Sequence, residues 1–282
     1  MSHPSHHSHD DREPPQPQSG EADSILAPAG SKYSGRPLLD RHAWLIYVLP
    51  LVVFMLFTSL EPKPPARDEG AQAATGWQLP YDAYPLVYAL KIAATLAAVA
   101  YVWPGYRQFP LRITHWSFVV GVVGAALWIG LAKLELERRV LGPLGLDSVL
   151  GLGQRSAFNP LVELRDNPLW AYGFLAIRLF GLAVLVPIIE EFFLRGFLMR
   201  FVMRADWWNV PFGEVNATAA LVGTLVPVLM HPGEILAAIV WFSLVTWLMV
   251  RTRSIWDCIV AHAITNAILG CYVLASGDWH LM

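Results

Sequence analysis

Residues 179–199 of the chain read LFGLAVLVPIIEEFFLRGFLM, an almost wholly apolar run bracketed by Arg178 and Arg200. As an α-helix, this stretch of 21 residues is about 32 Å long, which matches the hydrocarbon core of one bilayer. It therefore predicts a helix that crosses a membrane and carries two glutamates and an arginine near its middle.

The composition of the whole chain agrees with a protein that crosses the membrane several times. Of its 282 residues, 55% are hydrophobic and 15% are charged, whereas a typical soluble domain has about 25% charged residues. The net charge is only −2, and no basic patch with interleaved aromatic residues is present, which argues against a nucleic-acid partner. We therefore expect an all-α, polytopic integral membrane protein with seven or eight transmembrane helices, surrounded by the lipid bilayer.

Two regions differ sharply in character. Residues 1–42 are rich in proline and histidine and lack apolar periodicity, so they are expected to form a disordered polar tail. Residues 43–282 form the predicted membrane domain, with a motif-bearing core at 178–275. The predicted spans are Ala43–Leu60, Ala83–Trp103, Trp116–Leu134, the stretch between Arg178 and Arg200, Val215–His231, Ile235–Val250 and Ile255–Ala275. Residues 159–177 are left open as an interfacial helix or an eighth span.

The first candidate site is the sequence Glu190-Glu191-Phe-Phe-Leu-Arg195. Charged groups at this depth are costly and usually mark a functional site. Glu191 and Arg195 have i,i+4 spacing and share one helix face, so Arg195 is expected to neutralise Glu191. Glu190 then points elsewhere and is available for general acid or base chemistry. The alternative is a purely structural ion pair. Pro187, which lacks a backbone donor, is expected to kink the helix.

Two further polar clusters lie in later apolar segments. His231 precedes a Pro-Gly pair, and a histidine there can equally be structural or interfacial. His262 and Asn266 share a helix face and can together donate two hydrogen bonds to one point, as an oxyanion site requires. The alternative for this pair is polar contact between helices. Lys91 and Arg178 are more simply explained by snorkelling or structural pairing.

The order of these motifs resembles the CPBP family, which comprises type II CAAX prenyl endopeptidases and their bacterial, bacteriocin-processing relatives. Glu-Glu-x-x-x-Arg at 190–195, His231, and His-x-x-x-Asn at 262–266 carry the resemblance, together with Arg-Ser-Ile-Trp at 253–256. The stretch AHAITNAILGCYVLASGDWH at 261–280 is similar to the CAAX protease-related subgroup associated with exosortase and PEP-CTERM sorting systems.

The resemblance implies an eight-helix membrane fold and an intramembrane endopeptidase that uses glutamate. It implies that Glu190 and His231 activate a water, that His262 and Asn266 hold the oxyanion, and that Arg195 fixes the glutamate pair as supporting residues. It also implies a membrane-associated protein or peptide substrate and a bacterial inner-membrane location, with no cofactor. The chain departs from the family at Pro227, where a phenylalanine is usual.

Other functions remain open at the level of sequence. A non-proteolytic membrane scaffold or adaptor could use the same fold, and a proton-coupled transporter could use Glu190, His231 and His262 as a relay. The same three side chains could also bind zinc. The helix motif His-Glu-x-x-His and the Gly-x-Ser-x-Gly elbow are both absent from the sequence, so the common zinc-protease and serine-hydrolase classes are not indicated.

Overall fold

The computed structural model describes residues 35–62, 79–141, 143 and 158–281, and these residues contain helices and no β-strand. In chain order the helices are α1 (Pro37–Arg41), α2 (Leu45–Ser59), α3 (Tyr84–Tyr106), α4 (His115–Ala132), α5 (Leu136–Leu141), α6 (Pro160–Glu163), α7 (Pro168–Phe201), α8 (Ala217–Leu229), α9 (Ile235–Thr252) and α10 (Ile255–Ser276). Single 3₁₀ turns lie at Tyr81–Ala83, Trp207–Asn209, Pro232–Glu234 and Trp279–Leu281.

Five of the described helices, α3, α4, α7, α9 and α10, are long and apolar enough to cross a membrane. Helices α2 and α8 are also apolar but have only 15 and 13 residues. Each of these seven helices overlaps one of the seven predicted apolar segments. The predicted fold class, an all-α polytopic membrane protein, is confirmed.

Helix α7 is longer than the sequence predicted. It runs without interruption from Pro168 to Phe201, so residues 168–177 continue directly into the glutamate-bearing segment. The expectation of a separate interfacial helix or eighth span over 159–177 is therefore wrong for most of that range. Arg178 does not end the helix because its side chain is buried and its Nη1 atom donates a hydrogen bond to the carbonyl oxygen of Phe158 at 2.6 Å.

Buried side chains form two apolar clusters, and α7 contributes to both. The first cluster joins α4, α8, α9 and α10, and it includes Leu194 and Met199 of α7. The second joins α1, α2 and α3, and it includes Leu185, Ile189 and Phe192 of α7. The glutamate-bearing helix is thus packed on two sides, which fixes its rotation relative to its neighbours.

Helices α4, α9 and α10 approach one another closely around Gly124. A Cβ atom at this position would lie 2.8 Å from the Cδ1 and Nε1 atoms of Trp241 and 3.1 Å from Oγ1 of Thr265. The Nε1 atom of Trp241 donates to Thr265 at 3.1 Å, and Thr265 in turn donates to the carbonyl oxygen of Gly121 at 2.9 Å. Only glycine at position 124 leaves room for this arrangement.

Polar residues define the helix ends that bear on the site. The side chain of Asn216 accepts from the backbone N–H of Ala219 at 2.8 Å and caps α8. Ser254 caps α10, and that helix ends at Gly277, whose φ of 79° is left-handed.

Most of the predicted disordered tail, residues 1–34, lies outside the described residues. The final part of that predicted tail differs from the expectation, because α1 lies there and Leu39 is fully buried in the second apolar cluster.

Candidate active site

Two π-helical turns flank the glutamate pair on α7. Gly181–Leu185 and Phe192–Leu198 are π-helical, and Val186–Glu191 between them is α-helical. Each π turn changes the rotation of the residues that follow it, and such turns occur often at functional sites. Glu190 and Glu191 therefore occupy a segment whose direction is set from both ends.

The first π turn accommodates Pro187. The backbone N–H of Val186 donates to the carbonyl oxygen of Gly181, an i→i+5 hydrogen bond. Continuing this pattern would pair the carbonyl of Leu182 with the nitrogen of Pro187, which carries no hydrogen. The Nδ2 atom of Asn266 donates to that carbonyl instead, at 2.9 Å. The disturbance predicted at Pro187 thus takes the form of a π turn that α10 stabilises.

A buried chain of polar contacts links Arg195 to His262. The Nη1 atom of Arg195 lies 2.5 Å from Oε2 of Glu191, and both side chains are at most 1% exposed. The other carboxylate oxygen of Glu191 lies 3.0 Å from Nδ1 of His262. Arg195 also donates from Nη2 to the carbonyl oxygen of Phe242 at 3.2 Å. The i,i+4 pair was predicted, whereas the contact between Glu191 and His262 was not.

Glu190 occupies a different environment from its neighbour. Its Oε2 atom lies 4.0 Å from Nε2 of His262, so the imidazole ring lies between the two carboxylates. The Glu190 side chain is 19% exposed, against 1% for Glu191. Glu190 therefore faces accessible space, while Glu191 is enclosed by its partners.

His231 lies beyond the end of α8, in the turn that leads to α9. The predicted span Val215–His231 is too long, because the helix begins after the Asn216 cap and ends at Leu229. The Nδ1 atom of His231 lies 2.8 Å from the carbonyl oxygen of Pro227, and its ring packs edge-on against Trp128. Pro227, the departure from the family pattern, thus supplies the acceptor that orients the histidine.

A side chain of α5 also holds the turn that carries His231. The Oε1 atom of Glu137 accepts a hydrogen bond at 2.8 Å from the backbone N–H of Leu236, in the first turn of α9. A carboxylate at this end of a helix is favourable because it satisfies an N–H that lacks a partner within the helix.

All four side chains predicted to be catalytic line one cavity of about 110 Å³: Glu190, His231, His262 and Asn266. This volume holds several water molecules, since one water needs about 10–15 Å³ on the same kind of measure. The remaining lining is mostly apolar or aromatic and consists of Trp128, Leu182, Val186, Trp241, Phe242, Thr265, Leu269 and Leu281. No sequence pattern distinguishes the residues of this wall, because aromatic and aliphatic residues occur in every span.

Other intramembrane charges lie away from the cavity. Lys91 of α3 pairs with Glu61, and its ammonium group lies over the rings of Phe54 and Tyr88. Arg178 is held by Phe158, as described above. These contacts agree with the structural roles expected for both cations.

Within the described ranges, no three His, Cys, Asp or Glu side chains are grouped so as to hold a metal ion.

These features define a class, an all-α membrane protein with a paired-glutamate and histidine site inside its helices. Residues 172–268 match the model of the type II CAAX prenyl endopeptidase Rce1-like family. The matched region is about a third of the chain and contains Glu190, Glu191, Arg195, His231, His262 and Asn266. The match confirms the predicted family resemblance over this region and supports a membrane protease at the family level.

Neither the curated proteins nor the solved structures gave a match to this chain. The finer resemblance to the exosortase-associated subgroup stays a prediction.

Proposed function

We propose that this protein is an intramembrane endopeptidase that hydrolyses a peptide bond of a membrane-associated protein or peptide. The observation that carries the proposal is the convergence on one cavity of Glu190, His231, His262 and Asn266, from α7, the α8–α9 turn and α10. A space for water between a carboxylate and imidazoles, lined mostly by apolar side chains, is what hydrolysis inside a bilayer requires.

In the proposed first step, Glu190 removes a proton from a water molecule in the cavity, and the water oxygen attacks the peptide carbonyl carbon. His231 assists this step. Its Nδ1–H donates to the carbonyl of Pro227, and in that tautomer Nε2 carries the lone pair that can accept a hydrogen from the same water.

The attack places a negative charge on the former carbonyl oxygen, which His262 and Asn266 stabilise. In its protonated form His262 donates Nδ1–H to Glu191 and Nε2–H towards the cavity. Asn266 has two amide hydrogens, and one of them is fixed on Leu182. The fixed bond orients the amide, so the second hydrogen can meet the oxyanion without reorganisation.

The intermediate collapses when the carbon–nitrogen bond breaks and Glu190 returns its proton to the leaving amine. The products are a carboxyl group and an amine, and no oxidant, metal or covalent enzyme intermediate is needed. Arg195 and Glu191 act through His262, because they hold the ring between the two carboxylates.

The substitution Glu190→Gln tests the proposal directly. We expect it to lower cleavage by about 10²- to 10⁴-fold, the usual contribution of a general base. Because the substrate is unidentified, the measurement compares new protein N-termini in membranes that contain the wild type, Glu190→Gln or His262→Ala. Glu214→Gln is a matched control, since Glu214 is exposed in the loop before α8. New N-termini that persist unchanged in Glu190→Gln would overturn the proposal.

The same variants separate the competing functions. A scaffold should keep its partners and its complementing activity in Glu190→Gln, whereas a transporter should show pH-driven flux in liposomes and produce no new N-termini. Loss of cleavage on chelation and its recovery with zinc would assign a metal to the site. Candidate substrates are envelope proteins or peptides, and a bacterial inner-membrane location is part of the proposal.

A further inference from the structure

A short turn after α10 folds back onto the candidate active site. Helix α10 ends at Gly277, and the 3₁₀ turn Trp279–Leu281 follows directly. Trp279 is only 8% exposed and Leu281 only 7%, and both belong to the apolar cluster of α4, α8, α9 and α10. Leu281 also lines the cavity together with Glu190 and His262. The turn therefore forms part of the cavity wall, although none of the sequence motifs includes Leu281.

Polar contacts hold this turn in place, and we call Tyr272, Ser276 and Asp278 the clasp. The hydroxyl of Tyr272 donates to Oδ2 of Asp278 at 2.6 Å, and the backbone N–H of Asp278 donates to Oγ of Ser276 at 3.2 Å. Lys133, at the end of α4, lies over the ring of Tyr272 at 4.9 Å. These contacts are exposed or partly exposed, whereas the Arg195–Glu191 pair is buried. The contacts of the clasp are therefore weaker than those of the Arg195–Glu191 pair.

We propose that Leu281 is a specificity-determining residue, whose side chain limits the size of the substrate residue next to the scissile bond, and that the clasp sets its position. The proposal rests on the proposed peptidase function. Leu281 contributes an isobutyl group to a cavity of about 110 Å³, so its removal changes a large part of the available space. An apolar wall of this kind favours small apolar residues at the cleavage site.

The position of the wall can be tested without any cleavage assay. In a Cys271→Ser background, Leu281→Cys places a thiol on the wall, and Cys258, which is fully buried, remains as an internal reference. We expect N-ethylmaleimide to label position 281 slowly in the clasped protein and at least tenfold faster after Tyr272→Phe. Tyr172→Phe is the matched control, because Tyr172 is 64% exposed and lies on α7, whereas the clasp lies on α10 and the turn that follows it.

Two labelling outcomes decide whether the clasp holds the wall. Equal labelling rates with and without Tyr272→Phe would overturn that part of the proposal. Labelling of Cys258 would show that a variant has unfolded. In that case Asp278→Asn, which leaves the hydroxyl of Tyr272 intact, replaces Tyr272→Phe in the comparison of labelling rates.

The selectivity test uses a reporter built around one cleavage site found in the N-terminal comparison. The residue on either side of the bond is varied through Ala, Val, Leu and Phe. We expect Leu281→Ala to shift the ratio of cleavage towards the larger residues by about tenfold or more, since one methylene in an apolar pocket is worth about 10- to 200-fold. An unchanged ratio would overturn the role of Leu281.

These outcomes differ from a failure of the peptidase function itself. If the peptidase function is wrong, Glu190→Gln cleaves like the wild type, and the specificity role of Leu281 is then wrong as well. The labelling result still decides whether the clasp holds the turn.

Discussion

The Nδ1 atom of His262 lies 3.0 Å from Oε1 of Glu191, while the other oxygen of that carboxylate is paired with Arg195. The contact joins α10 to α7 through buried groups. Glu191 therefore has two partners, one on its own helix and one on another, and its loss would release both. Glu190 does not form a hydrogen bond with His262, because its Oε2 atom lies 4.0 Å from Nε2 of the ring.

The two glutamates should accordingly differ in their effect on stability. Glu191→Gln leaves the fully buried guanidinium of Arg195 without its counter-charge, and removal of one partner of a buried pair costs about 3–5 kcal/mol. We expect Glu190→Gln to leave the free energy of unfolding nearly unchanged. Reversible unfolding of the detergent-solubilised protein measures both variants. Equal destabilisation by the two substitutions would contradict the division of roles.

Asn266 and Pro187 should be energetically coupled through the carbonyl of Leu182. Asn266→Ala removes the donor to that carbonyl, and we expect a loss of about 0.5–1.5 kcal/mol. In a Pro187→Ala background the backbone N–H returns and can serve the same carbonyl, so the loss should be smaller. A double-mutant cycle on unfolding free energies measures the difference. If Asn266→Ala costs the same in both backgrounds, the two residues are not coupled through the carbonyl of Leu182.

Gly124 should matter for cleavage although it does not line the cavity. In Gly124→Ala the new methyl group would lie 2.8 Å from the indole of Trp241, whose ring packs against His262 with centroids 4.5 Å apart. We expect about 1–3 kcal/mol of destabilisation from overpacking and reduced cleavage. Gly130→Ala on the same helix is the control, because no atom lies within 4 Å of its added Cβ. Equal behaviour of the two variants would show that Trp241 has room to move.

The clasp should resist moderate acidification. The hydrogen bond from Tyr272 holds the pKa of Asp278 below its ordinary value of 3.8, and the nearby His280 and Lys133 act in the same direction. A lowered pKa means that this contribution to stability is present above the unfolded-state pKa of about 3.9 and is lost as the pH falls from there through the still lower folded-state pKa.

Labelling of Leu281→Cys, expressed relative to free cysteine at each pH, should therefore be constant between pH 8 and pH 5. A marked increase within that range would show that another group controls the turn.

The sequence was sufficient to predict features that depend on local periodicity. The seven apolar segments and the Glu191–Arg195 pair follow from helix geometry, and both are present. The predicted start of the fourth span at Arg178 is wrong, because a charged residue does not always mark the end of a membrane helix. The guanidinium instead donates to the carbonyl of Phe158, a partner 20 residues away that no local pattern indicates.

Contacts between separate helices could not be read from one sequence. The i,i+4 spacing placed His262 and Asn266 on one face, but it did not show that the first meets Glu191 and the second meets Leu182. Leu281 was missed for the same reason, because a leucine in a short turn has no distinguishing signal until the turn is seen to fold over the cavity.

The lengths of α7 and α8 also relate the geometry of the site to the thickness of the bilayer. Helix α7 has 34 residues and is about 51 Å long, whereas a hydrocarbon core is about 30 Å thick. Its neighbour α8 has 13 residues and is about 20 Å long. One helix exceeds the membrane and the adjacent one falls short, so the protein combines hydrophobic mismatch of both signs. In general, a helix that is too long for the bilayer tilts, and the bilayer thins beside a helix that is too short. We therefore expect the orientation of the glutamates in the membrane to depend on the acyl-chain length of the surrounding lipids.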